Sequence, residues 1–234
     1  MDVGILIGNT NTTIAYISKN SIRKIATCKT QYIGSIIKKY LNKEKNRPRV
    51  FVASVVPQAT ARIKHCTEDI EEISWKNFPS QIKIKHPENI GIDRLLNAAG
   101  AKKLFKNSCL IIDAGSAITI DFICKNGNFE GGVIFPGQRL IVESLKTLAL
   151  LKKAKPTKSK SILGNDTSKA IGSGVTYGLS FLIKGYINAL KEKDKNVQVI
   201  FTGGDGKMFL PYVKIGTYEK NLALKGLQMF IYDT

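Results

Sequence analysis

Cysteine, histidine and tryptophan are scarce in this chain of 234 residues, which has four, two and one of them. Cys28, Cys66, Cys109 and Cys124 show no CxxC spacing, so neither a disulfide framework nor a thiolate zinc site is supported. Cys109 and Cys124 lie in apolar runs, where a reduced thiol behaves as a small hydrophobe. His65 and His86 have no partner at ligand spacing. Acidic residues are also few: 18 Asp and Glu stand against 36 Lys and Arg, a net charge of +18. That charge attracts anionic partners of any kind. The basic residues are dispersed in pairs such as Lys38-Lys39, Lys102-Lys103 and Lys152-Lys153, without interleaved stacking aromatics. This argues for a solvated lysine-rich surface rather than nucleic-acid readout. No apolar run approaches the ~18 residues a membrane span needs, and no basic-then-apolar leader opens the chain, so a cytoplasmic protein without a membrane partner is expected.

Apolar residues and turn formers, by contrast, are plentiful. At 43% hydrophobic the chain can bury a sizeable core, as one large domain or two small ones. Val3 to Ile7 reads as a buried strand, followed by the turn Gly8-Asn9-Thr10-Asn11-Thr12 and a strand-like Thr13 to Ser18. Helical spacing over Tyr32 to Leu41 precedes an apolar strand from Val50 to Val56, ending at Pro57. Ala59 to Cys66 fits a short helix, Ile82 to Ile84 a short strand, and Asp93 to Lys106 a clear helix with an acid at its positive end. A second round follows, with strands at Ser108 to Asp113, Ala117 to Cys124 and Gly131 to Phe135, then helices at Gln138 to Leu151, Ser168 to Glu192 and Asn221 to Tyr232. The Lys-, Pro- and Ser-rich stretch Lys152 to Ser161 reads as a mobile loop. Both halves open with a buried strand, a small-residue turn and another strand. The expectation is two related α/β lobes, residues 1–106 and 107–234, meeting at a cleft.

The turn clusters suggest phosphate handling, because glycine lets backbone amides approach phosphate oxygens closely. Singly they are weak signals. Gly-Asn-Thr is usually a hairpin turn, Thr202-Gly203-Gly204 a strand-to-helix connection, and Asp93 a helix N-terminal acid beside a surface Arg94. Asp113 and Asp121 are harder to set aside, since carboxylates emerging from apolar strands need partners or a cation.

Taken in order, the clusters resemble the type III pantothenate kinases, bacterial enzymes of the actin-like, ribonuclease H-like superfamily. The resemblance runs through Gly8-Asn9-Thr10-Asn11-Thr12, Ser54-Val55-Val56-Pro57, Gly91-Ile92-Asp93-Arg94 with Asn97, and Asp113-Ala114-Gly115-Ser116 through Asp121. It continues through Gly131-Gly132 with Pro136-Gly137, Asp166-Thr167 with Gly174 and Tyr177-Gly178, Thr202-Gly203-Gly204, and Leu222 to Leu227. It implies two ribonuclease H-like lobes and ATP-dependent phosphorylation of pantothenate, the first step towards coenzyme A, by a homodimer using magnesium and a monovalent cation, potassium or ammonium. It also implies that Gly8, Asn9, Thr10, Asn11, Thr12 and Ser116 contact ATP, and that Gly91, Ile92, Asp93, Arg94 and Thr167 contact pantothenate. By the same likeness Asp93 is the general base and Asp113 the monovalent-cation ligand.

Two positions depart from the family pattern. An aspartate expected to position magnesium, two residues before Gly8, is replaced by Leu6, and a tyrosine seven residues before Gly91 is replaced by Ile84. Asp2-Val3-Gly4 looks like a displaced copy of the missing motif, but four residues of strand put Asp2 roughly 13 Å from position 6. The first departure sets a second class beside the kinase: a paralogue that keeps fold and dimer and binds a ligand without efficient phosphoryl transfer.

Overall fold

The computed structural model describes residues 1–41, 48–67, 69–152 and 161–233. By internal contacts the chain forms two compact units, one of Met1–Lys106, Ile123–Gly131 and Asn221–Thr234, the other of Asn107–Phe122 and Gly132–Lys220.

The first unit starts with β1 (Asp2–Ile7), β2 (Asn11–Ser18) and β3 (Ser21–Lys29), followed by α1 (Ile33–Leu41), β4 (Val50–Ser54), α2 (Pro57–Lys64) and β5 (Ile70–Glu72). It is completed by α3 (Ile92–Leu104) and, from the chain's far end, α8 (Leu222–Tyr232). Its sheet runs β3-β2-β1-β4-β5. β1 pairs antiparallel with β2 and parallel with β4, so Ile7 lies beside both Thr12 and Ser54. Side chains alternate across the sheet. Val3, Ile5 and Ile7 pack against Ile33 and Ile37 of α1 and Ala59 and Ile63 of α2. Gly4 faces the opposite way, where an added Cβ would overlap Ile17 and press on Leu227 of α8. β3 is a strand that the sequence pattern did not suggest: it is an edge strand, mostly exposed and broken by Arg23 and Lys24, so it lacks an apolar signature.

The second unit repeats the plan with β6 (Cys109–Ala114), β7 (Ala117–Ile123), β8 (Phe129–Pro136), of which residues 123 and 129–131 fall in the first unit, then α4 (Gln138–Leu145), α5 (Thr167–Ser173), α6 (Leu179–Lys193), β9 (Gln198–Thr202), α7 (Gly206–Val213) and β10 (Thr217–Tyr218). Its sheet order is β10-β9-β6-β7-β8, with β6 and β9 parallel, the counterpart of the first sheet with the same strand roles. Leu110, Ile112, Ile118, Ile120 and Phe201 of the sheet share a core with Val175, Leu179, Ile183 and Ile187.

Three expected elements come out differently. The helix expected over Gln138 to Leu151 stops at Leu145, because the Ser144 and Thr147 hydroxyls bond back to the carbonyls of Ile141 and Ser144 at 2.7 Å and tighten the chain into turns. The strand expected over Ile82 to Ile84 is a single bridge from Ile82 to Phe129, in a short run between Pro79 and Pro87. The helix expected from Ser168 to Glu192 is interrupted by a π-helical turn at Gly174–Gly178. The expected mobile loop, Lys152 to Ser161, lies almost wholly outside the described residues.

Candidate active site

Each unit gathers its turns at the carboxyl ends of a parallel strand pair. Crevices beyond such strand ends are where open α/β sheets bind ligands.

In the first unit the pair is β1 and β4. The turn after β1 is closed by the Gly8 amide donating to the Asn11 carbonyl at 3.0 Å, and Val55, just past β4, donates to the Ile7 carbonyl at 3.0 Å. Asn9 and Asn11 are exposed, Gly8 and Thr10 half-buried, and Thr12 fully buried. Next to this turn sits the start of α3. Gly91 is its N-cap and contributes no side chain, so the first orphan amides need another acceptor. Asp93 supplies it: its Oδ1 accepts from the Arg94 amide at 2.9 Å. The carboxylate fits because position 91 is glycine, where a Cβ would lie 2.5 Å from Asp93 Oδ1 and 3.6 Å from Val55.

Asp93 is exposed to solvent by its accessible surface, while protein atoms crowd the neighbourhood of its carboxyl. Burial pushes its pKa above the ordinary 3.8, outweighing the Arg94 amide and the Arg94 charge, which pull it down. Ile92 is buried and serves packing. The Arg94 guanidinium lies over the buried Phe129 ring, 5.4 Å from its centroid, a cation–π contact that aims the long side chain. Phe129 is fixed in turn by the backbone of the 81–83 segment, with bonds of 2.9 and 2.8 Å to Gln81 and Lys83.

In the second unit the pair is β6 and β9, and Asp113 and Thr202 are register partners at its carboxyl end. Asp113 is half-buried. Gly203, at φ +81°, lies against it so closely that a Cβ would overlap Asp113 Oδ1 and the Ala114 carbonyl. Tyr218 fixes Gly203 by a 2.9 Å bond to its carbonyl, and the Asp205 amide donates to the Ala114 carbonyl at 2.9 Å. Ser116 sits in the β6–β7 turn, whose carbonyls are covered by Gly137: the Gly137 amide donates to Ser116 at 3.1 Å, and a Cβ there would lie 2.6 Å from the same oxygen. Thr167 is exposed at the first position of α5, behind the N-cap Asp166, which accepts from the Lys169 amide at 2.8 Å. Asp121 is completely buried and accepts from the Thr119 hydroxyl at 3.1 Å.

The structure therefore collects Gly8–Thr12 and Gly91–Arg94 in one unit, and Asp113 and Ser116 in the other. It adds residues that no local pattern singled out. Phe129, which orients Arg94, lies before the strand expected from Gly131 to Phe135, and Thr30, which holds the first turn, lies in no expected element or motif.

Comparison with known proteins agrees with this architecture. Among solved structures, a Baf family protein from Campylobacter jejuni superposes with a TM-score of 0.69 at 23% identity, over 99% of this chain and 98% of that one. The activator of 2-hydroxyisocaproyl-CoA dehydratase from Clostridium difficile, solved with bound ADPNP, gives 0.55 at 11% identity over 99% and 94%. With its two sheets of like order, the chain shares with these structures a ribonuclease H-like α/β fold repeated in two units. Within it, the type III pantothenate kinase profile matches residues 4–189. A protein of that name from Sulfurihydrogenibium sp. is 31% identical over 97% of this chain and 98% of its own length, and one from Flavobacterium psychrophilum is 34% identical over 89% and 88%. The chain belongs to the type III pantothenate kinase family.

Proposed function

We propose that this protein transfers the γ-phosphoryl group of ATP to the primary hydroxyl of pantothenate, giving 4'-phosphopantothenate for coenzyme A synthesis. The observation that carries the reading is the Asp93 carboxylate, held at the start of α3 by the space at Gly91 and the Arg94 amide, with its pKa raised by burial. A primary alcohol is a weak nucleophile at neutral pH, and a raised carboxylate is a better acceptor for its proton as the oxygen–phosphorus bond forms. Arg94, aimed by Phe129, offers a planar fork suited to the pantothenate carboxylate. Gly91 and Ile92 shape the same end of the site, and Thr167 adds a hydroxyl to the substrate. The turn Gly8–Thr12, through amides other than that of Gly8, and the Ser116 hydroxyl receive the ATP phosphates, and most of the rate comes from positioning the phosphoryl group and compensating its charge.

Two cations follow from the family. Asp113 fits the monovalent one: its carboxylate lies in a backbone-lined cradle that a Cβ at Gly203 would fill, and potassium and ammonium accept such oxygen ligands. Magnesium finds no carboxylate at the first turn. Leu6 cannot ligate it, and Asp2 is at the opposite end of β1, which keeps regular register with β2 from Asp2 to Ile7. There Asp2 is bound by Arg49 at 2.7 Å and by the Tyr232 hydroxyl. Carried in with ATP, magnesium would supply charge neutralisation at the phosphates, and no residue of the first turn would hold it.

In this reading the protein acts as a homodimer, and the second unit exposes the apolar side chains of Ile134, Leu140 and Phe181. Among the described residues no helix is long and apolar enough to cross a membrane, which fits a soluble metabolic kinase of the cytoplasm. We take the lobes to divide near residue 107, with Ile123–Gly131 and Asn221–Thr234 grouped with the first.

The test is direct detection of phosphopantothenate from purified protein with pantothenate, ATP, magnesium and potassium. The native chain forms product, and Asp93→Asn lowers kcat by roughly 10²–10⁴-fold while staying folded. Absence of product from the folded native chain overturns the reading, and near-normal turnover by Asp93→Asn removes Asp93 as the base.

A further inference from the structure

Thr30 directly follows β3, opening a 3-10 turn eighteen residues along the chain from Thr12, and is 5% exposed. It makes three contacts with the first turn. Its hydroxyl donates to the Gly8 carbonyl at 2.6 Å, its amide donates to the Thr10 carbonyl at 3.1 Å, and its Oγ1 lies 3.1 Å from Thr12 Oγ1. A hydroxyl has one proton. Since that of Thr30 goes to Gly8, the proton between the two threonines belongs to Thr12, and the chain runs Thr12 to Thr30 to Gly8. Thr12 is 0% exposed. Its donor is thus spent inside the protein, and its hydroxyl is not a phosphate donor.

The consequence for the turn follows from peptide geometry. In a trans peptide the carbonyl of one residue and the amide of the next point in opposite directions. Drawing the Gly8 and Thr10 carbonyls onto Thr30 turns the Asn9 and Asn11 amides to the other side of their peptide planes. It also removes two carbonyl oxygens from the face an anion would approach. An anion site needs amides presented and carbonyls withheld, and Thr30 imposes both from a strand outside the turn.

Resting on the assignment of this turn to ATP, we propose that Thr30 is a positioning residue for the nucleotide: it sets the orientation of the Asn9 and Asn11 amides without touching the phosphates, and Thr12 acts through it.

The experiment is calorimetric binding of magnesium–ATP to the full chain as native protein, Thr30→Val and Thr30→Ser, with KM for ATP and for pantothenate measured alongside. Valine keeps the shape and loses the hydroxyl, so ATP affinity and KM for ATP weaken about five- to tenfold, the worth of one buried hydrogen bond. KM for pantothenate stays within twofold, and Thr30→Ser, which keeps the hydroxyl, binds ATP like the native chain. A general loss of structure would move both KM values and the melting temperature together. Native-like ATP binding by Thr30→Val overturns the proposal, as does equal loss in Thr30→Ser, which remains decisive if the valine variant does not fold. Failure of the native chain to bind ATP overturns the assignment of the turn as well, and so is distinguishable from failure at Thr30 alone.

Discussion

Asp93 shows how one position can serve both a helix and a reaction. As the acid in the first turn of α3 it satisfies the Arg94 amide and lies at the positive end of the helix dipole, both of which favour its charge. Burial opposes them and wins, so the carboxyl titrates above 3.8. The folded state then binds the proton more tightly than the unfolded chain, and this residue's contribution to stability declines as pH rises through the window between 3.8 and the raised value. Two outcomes follow from that sign. The acid limb of kcat/KM for the native enzyme lies above the ordinary aspartate range, and Asp93→Asn melts no lower than native at pH 7 although its turnover falls. A melting temperature clearly below native would show that the ionised carboxylate stabilises the fold. The sequence pattern made Asp93 and its helix legible because an acid after glycine before an apolar helix is a local signal. Phe129 and Thr30 were not legible, because each acts on a residue far away in the chain, through a contact that only the folded sheet creates.

At the scale of elements, α3 is held by glycine. It packs on α8 so closely that a Cβ at Gly100 would overlap the Leu222 carbonyl, and a Cβ at Gly226 would overlap the Leu96 carbonyl. Glycine in a helix interior costs about 0.5–1 kcal/mol relative to alanine, so two of them facing one contact indicate that backbone approach outweighs propensity. Gly226→Ala should destabilise the protein by about 1–3 kcal/mol, the usual cost of overpacking, and should also shift the start of α3 that carries Asp93 and Arg94. Chemical denaturation measures the first effect and KM for pantothenate the second. An unchanged midpoint would mean the helices separate freely. The paired glycines could not be interpreted from spacing, since nothing in Leu222 to Leu227 indicates its partner. Core strands such as β1, β4 and β6 were readable because burial on both faces gives continuous apolar runs, whereas the exposed edge strand β3 and the hydroxyl-shortened α4 followed local competition that an apolar pattern does not record.

At the scale of the whole molecule, the first unit is closed by the last residues of the chain. The Tyr232 hydroxyl of α8 shares its one proton between Asp2 and the Ile17 carbonyl, the latter 3.0 Å away, while Gln228 donates to the Ser18 carbonyl at 2.6 Å. Partial burial raises Asp2, but the bonds from Arg49 and Tyr232 outweigh it and leave its carboxyl below 3.8, whereas burial and Asp2 push Tyr232 up to about 12. The ends of the chain thus share one network. The second unit is different, because it presents apolar surface. Gly178, Phe181 and Gly185 follow one another at helical spacing; Phe181 is 55% exposed, and both glycines have open space where a side chain would stand. Glycines that weaken a helix and touch nothing in their own chain are suited to a second backbone brought close, and Phe181 supplies apolar area beside them. In a twofold dimer the same patch meets its own copy, so one change acts on both sides of the interface. With a net charge of +18 on each chain, association must overcome repulsion, which salt screens. Light scattering should therefore give twice the chain mass for the native protein, more firmly at 0.3 M than at 0.05 M salt. Phe181→Asp should give the mass of a single chain with its fold retained, and a native chain monomeric at every salt concentration would leave this face without a partner copy.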